Sequence, residues 1–162
     1  MTDSSTSTFE APTAVCAIER TLSVVGERWS LLILRESFMG ITRFADFQSR
    51  LGIATNVLTT RLDKLVAAGV LTKDDYQRPG ERARPEYHLT DTGRDLAVVL
   101  GALQQWGDAY LPLPAGPVNQ RCHRQTGKPV AVSFVDEHGT ALGIDEVRLD
   151  GPIPRSRKRS RP

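Results

Sequence analysis

Apolar residues return at helical spacing in four successive stretches of the first 70 residues. Between residues 14 and 25, Ile18, Leu22 and Val25 lie four and three apart, the signature of one helix face. Gly26 follows as a stop. Residues 29–38 carry Leu31, Leu32, Ile33 and Leu34 in one run, which predicts a second helix, apolar nearly all round and therefore central. Gly40 closes it. Thr42 is placed to N-cap a short third helix over 43–51, with Phe44 and Phe47 on one face. Gly52 predicts a sharp turn. A fourth helix is predicted over 55–68. Leu58, Leu62 and Leu65 form its apolar stripe, at i, i+4 and i+7. At 100° per residue, Asn56, Thr60 and Asp63 fall opposite that stripe, with Thr59 and Lys64 flanking them. Gly69 ends the helix.

The pattern then changes. Residues 70–77 and 86–89 read as two short strands, joined by a Gly/Pro-containing loop that bears Arg78, Arg82 and Arg84. Thr90 is expected to cap one long last helix. Along it Leu96, Val99, Leu100, Leu103, Trp106 and Tyr110 repeat at spacings of three and four, until Pro112 and Pro114 break it. The expected organisation is a polar, disordered arm over 1–13, a folded domain over 14–111, a linker over 112–120, a small β-rich extension over 121–150 and a disordered basic tail over 151–162. A strand-like stretch at 129–135 and turn signals at Gly127 and Gly139 mark the extension. The fold class is mainly α with a β-hairpin.

Two short helices joined by a tight glycine turn make a helix-turn-helix. The second has one stripe to anchor it and one small polar face to present. Threonine and asparagine reach base edges without blocking entry to the major groove. The hairpin offers three arginines on its loop, which suits phosphate or minor-groove contact. Duplex DNA is therefore the expected partner. A winged helix used only for protein–protein contact is the alternative.

Charge sharpens this picture once it is divided. The net charge of +2 hides −2 over residues 1–15 and a balance of 12 basic against 12 acidic side chains over 16–115. Residues 116–154 carry −1, and the tail from Arg155 carries +5. DNA affinity in the body must come from where its charges sit. The tail alone supplies nonspecific phosphate attraction.

The stretch from Cys16 to Tyr110 resembles the HxlR-type regulators, relatives of the MarR group. The residues that carry the likeness are C-x-I-E-R, V-x-G-E-R-W-S-L-L-I-L-R-E, G-I-T-R-F-A-D-F, G-I-A-T-N-V-L-T-T-R-L-D-K-L, A-G-V-L, E-Y-H-L-T-D-T-G and the closing W-G, in family order. The resemblance implies a dimeric winged helix that represses or activates nearby promoters, repression being expected here. It implies DNA contacts from Thr55, Asn56, Thr59, Thr60 and Lys64, and a phosphate contact from Arg43. It also implies that the first and last helices build the homodimer, through Ile18 and Leu22 with the Leu96–Tyr110 stripe. Where the family often has serine, this chain has Ala54. Alanine cannot cap, so either Thr55 caps the fourth helix or the cap is lost at about 1 kcal/mol.

Cys16 and Cys122 are too few for a disulfide framework. In several HxlR-type regulators a cysteine at the position of Cys16 senses oxidants or electrophiles, so the resemblance makes it a redox candidate. The plainer role is a small packed hydrophobe. A small-molecule effector is the other expected signal. Some relatives end in a zinc-ribbon-like unit. Here the comparable positions are His123, Thr126, Val135 and His138, without the thiolates such a site needs. No metal, cofactor or catalytic residue is therefore expected, and no phosphate loop, G-x-S-x-G or HExxH motif is present. The N-terminus lacks the basic and apolar regions of a signal peptide, and no apolar run reaches a membrane span. A cytoplasmic protein is expected.

Overall fold

The computed structural model describes residues 16–76 and 84–150. The expected arm, the loop arginines Arg78 and Arg82, and the basic tail lie outside the described residues. The chain divides into two compact units that part between Gly116 and Pro117.

The first unit opens with α1 (Ala17–Val25) and α2 (Arg28–Phe38). Only Val25 of α1 is buried. The α2 helix is central, burying Ser30, Ile33, Leu34, Glu36 and Ser37. Next come α3 (Phe44–Leu51) and α4 (Thr55–Ala67). Thr42 does not cap α3 as expected. Arg43 holds the N-cap position without a side-chain bond, because Thr42 is engaged in the sheet, where its carbonyl accepts from the amide of Tyr87 at 2.8 Å.

The wing is an antiparallel pair, β1 (Leu71–Tyr76) and β2 (Arg84–Leu89), in register from Leu71 opposite Leu89 to Tyr76 opposite Arg84. An isolated bridge between Arg43 and Glu86 adds the segment before α3 to its edge. The expected single last helix is instead two. After α5 (Asp91–Asp95), the chain turns at Leu96 and resumes as α6 (Ala97–Tyr110). Thr90 does cap, its hydroxyl accepting from Gly93 N at 3.0 Å. The same hydroxyl lies within donating distance of the Gly69 carbonyl at 2.7 Å and the Val70 carbonyl at 3.1 Å. Gly93 is pressed so close to this joint that a Cβ there would lie 2.1 Å from the Val70 oxygen. No side chain fits at that distance.

The core unites Val25, Ile33, Leu34, Phe47, Ile53, Leu58, Leu62, Leu65, Val70, Leu71, Tyr87 and Leu100. Leu100 was expected on the dimer stripe, but it is buried in its own chain, and Leu96 is half-buried beside the core. These two form the inner edge of the stripe, at i and i+4. Val99, Leu103, Trp106 and Tyr110 form its outer edge and are exposed.

The second unit holds β3 (Phe134–Val135) paired antiparallel with β4 (Ala141–Leu142), and a 3₁₀ turn at Ile144–Glu146. The strand expected over 129–135 is shorter than its sequence suggests, reaching Pro129 only as a single bridge to Cys122. His123 Nδ1 accepts from the amides of Gln125 and Thr126, both at 3.3 Å, and so closes the turn at Gly127. His138 Nε2 lies 3.5 Å from the Glu137 carboxylate. Among the described residues no cluster of His, Cys, Asp or Glu is arranged to hold a metal ion. Among them, too, no helix is long and apolar enough to cross a membrane.

Candidate nucleic-acid interface

The α3–α4 turn exists because Gly52 takes φ +61°. That left-handed conformation is costly for any residue with a Cβ. Two residues later α4 starts, with Ala54 at the N-cap and no side-chain bond there. Thr55 does not replace the cap. Its hydroxyl instead accepts from Gln48 Nε2 of α3 at 2.8 Å. Gln48 carries no sequence signal, since glutamine seven residues before a helix start is not a motif.

The two faces of α4 divide as their spacing predicts. Leu58, Leu62 and Leu65 are completely buried. Thr55, Asn56, Thr59, Thr60 and Asp63 are exposed, and Lys64 is half-buried beside them. The Thr59 hydroxyl donates to the Thr55 carbonyl and that of Thr60 to the Asn56 carbonyl, each at 2.9 Å. These two side chains therefore offer methyls and lone pairs outward, while their protons serve the helix. Asp63 faces Lys73 of the wing at 3.9 Å, a link that partly offsets the repulsion a carboxylate would feel near phosphate.

Arg43 is tied by Nε to Glu86 Oε1 at 2.8 Å, yet stays about half exposed. It is an ion-pair member whose guanidinium stays open to solvent on one side. Glu86 is shared with His88, whose Nε2 stands 3.6 Å from the other carboxylate oxygen. Arg84 is exposed at the start of β2, on the loop side of the wing. Behind α3, the buried carboxylate of Glu36 joins α2 to α3 by accepting from Arg50 Nε and Arg35 Nη2, both at 2.5 Å. Burial works to raise its pKa, but the two guanidinium bonds and charges prevail and hold the carboxyl below its ordinary value. The sequence did not single out Glu36 or Arg50 either. A buried acid is recognisable only after the fold brings its cations to it.

The geometry is thus a buried-backed helix after a glycine turn, a polar face of small side chains, and a two-stranded wing beside it. Residues 24–114, more than half of the chain, match the family described as HxlR-like helix-turn-helix. The chain belongs to that family. The HxlR-like chain is 45% identical over 122 residues to the HTH-type transcriptional regulator Rv3095 of Mycobacterium tuberculosis, covering 75% of this chain and 76% of that one. It is 36% identical over 98 residues to the HTH-type regulator sll1512 of Synechocystis, covering 60% and 71%. Among solved structures it is similar to PA1607, with TM-score 0.73 and 37% identity over 85% of this chain and 96% of that one. Residues 1–116 make up about 72% of the HxlR-like chain. The likeness to PA1607 therefore extends into the second unit. The redox regulator HypR in its reduced form matches more narrowly, with TM-score 0.53 and 28% identity over 58% of this chain and 92% of that one.

The remaining expected residues lie on α1 and α6 and are exposed. Ile18 and Leu22 of α1 are 65% and 56% exposed, Trp106 and Tyr110 of α6 58% and 69%. Trp106 and Tyr110 already stack on each other, centroids 5.4 Å apart. Cys16 is exposed at the N-cap of α1, and Cys122 is exposed in the second unit.

Proposed function

We propose that this HxlR-like chain is a transcription repressor that binds duplex DNA in a sequence-specific manner as a twofold homodimer. The observation that carries the reading is the exposed face Thr55, Asn56, Thr59 and Thr60 on a helix whose opposite side is locked by three fully buried leucines. Such a helix can enter the major groove without rearrangement, its first turns meeting base edges. Arg43, Lys64 and the wing arginines Arg78, Arg82 and Arg84 supply phosphate contacts in this reading, and α1 with the outer edge of α6 supplies the dimer. Dimerisation sets the two α4 helices about one DNA turn, roughly 34 Å, apart. The operator is then a near-palindrome.

The test is fluorescence anisotropy on duplexes from the chain's own upstream region, titrated at several salt concentrations. Asn56→Ala is expected to cost about 1–3 kcal/mol on the preferred duplex and little on scrambled DNA. Arg84→Ala is expected to weaken both duplexes alike and to lower the salt slope by about one. Equal loss on both duplexes for Asn56→Ala would remove α4 as the reading helix.

Two observations bear on the signal. Cys16 is an exposed thiol at the start of α1, and HypR, a structural relative, is a redox regulator by name. Oxidant or electrophile chemistry at Cys16 is the first reading. The second is a small-molecule effector. A cleft of about 370 Å³ lies between α1, the end of α4 and the α5–α6 joint, walled by Val24, Val25, Val70 and Leu96, with Arg20 and Thr92 among its lining residues. That volume is within the range of ligand pockets. The Cys16→Ser variant separates the two, because it removes only the first.

A further inference from the structure

Three threonines open the polar face of α4, and their hydroxyls are not equivalent. Thr59 and Thr60 spend their protons on carbonyls four residues back. Thr55 cannot do this. It is the first residue of the helix, and the residue four before it, Leu51, belongs to α3 across the glycine turn. Instead the Thr55 oxygen receives the Gln48 amide at 2.8 Å, and among the described residues no acceptor takes its proton. One lone pair is thereby occupied, and the O–H bond is polarised toward donation, since bonds in a chain strengthen one another.

We propose that Gln48 is a positioning residue for specificity. Its amide holds the Thr55 hydroxyl as a donor toward the duplex, so that the base facing the start of α4 must present an acceptor. This inference rests on α4 being the reading helix. In the major groove guanine offers N7 and O6, adenine N7 and thymine O4, whereas cytosine offers only its N4 amino donor. The Gln48–Thr55 pair therefore selects against cytosine on the contacted strand, at one position in each half-site.

The test uses the full chain and a duplex panel built on its own upstream region, with each base permuted at each position. Wild type is expected to bind about fivefold less tightly when cytosine occupies the proposed position, the lower end of what one specific contact gives. Gln48→Met and Thr55→Val are each expected to flatten the profile at that same position, and the double variant to flatten it no further. Gln48→Glu has the same shape but can only accept. It takes the Thr55 proton, turns the hydroxyl lone pairs outward and is expected to shift the profile toward cytosine at that position. Preferences elsewhere in the half-site are expected to stay as in wild type. A purely structural role for Gln48 would instead weaken every duplex equally. Should Gln48→Met fail to fold, Gln48→Glu carries the same comparison. An unchanged profile in Gln48→Glu, or additive effects of Gln48→Met and Thr55→Val at different positions, overturns the inference while leaving α4 as reader. A wild-type chain with no base preference at any position overturns both.

Discussion

Replacing Trp106 with alanine is the most direct test of the proposed homodimer. The residue is 58% exposed in the single chain and stacked on Tyr110. A large aromatic side chain buries up to about 250 Å², so roughly 145 Å² of this one awaits cover. At about 25 cal/mol per Å² that is worth about 3.6 kcal/mol when fully buried. Alanine recovers part of it, and burial at an interface is incomplete, which leaves about 1 to 1.5 kcal/mol per side chain. In a twofold interface one substitution removes two tryptophans. Dimer association should therefore weaken by about 2–3 kcal/mol, raising the dissociation constant roughly 30- to 150-fold. Sedimentation velocity across a concentration series reads this directly, and circular dichroism shows whether the fold persists. Since only Leu100 and Gly101 of α6 are buried, the monomer is expected to remain folded. An unchanged dissociation constant would refute the assignment of this face, and a chain that is monomeric at tens of micromolar would refute the dimer itself.

Three further outcomes are expected. Gly93→Ala must move α5 away from the Val70 carbonyl, which strains the packing and loosens the Thr90 cap, for a loss of about 2–4 kcal/mol in urea unfolding; a loss under 0.5 kcal/mol would mean that the joint is softer than its geometry. Glu36 has a folded-state pKa below its ordinary 4.5, so its contribution is fully present above pH 4.5 and disappears as pH falls through the lower folded value. Wild type should thus lose stability more steeply than Glu36→Gln over that acidic window, and parallel pH profiles would contradict the pairing. Cys16→Ser should leave DNA affinity unchanged under reducing conditions and abolish any response to diamide or peroxide; a response that survives the substitution would direct attention to the cleft beside α1.

The extent of α4 and its buried and exposed faces are legible in the sequence because its leucines and threonines obey one local period and glycines bound it on both sides. What that period could not convey is phase relative to neighbours. The stripe of the last helix contained six apolar residues, and only contact with α2 reveals that Leu100 faces inward while Trp106 faces out. The break at Leu96 was hidden for a similar reason. Gly93 weakens the helix locally, but its close approach to Val70, more than twenty positions earlier, appears only in the fold. Thr42 was misassigned because a threonine before a helix resembles a cap, while its carbonyl is drawn into the wing by Tyr87. Gln48, Glu36 and Arg50 were invisible, since their roles arise only between elements.

The hydroxyl of Thr90 has a mechanical consequence. It lies between the first amides of α5 and the carbonyls just past the end of α4, and Gly93 leaves no slack beside it. A tilt of α6 that drags α5 with it must either rupture this knot or swing the tail of α4. On the proposed reading, α4 as the DNA-reading helix is therefore geared to α6 as the helix facing a second subunit through this one pivot. In the proposed dimer, a change at the thiol of Cys16 or in the cleft beside α1 would have a short lever arm to the bases.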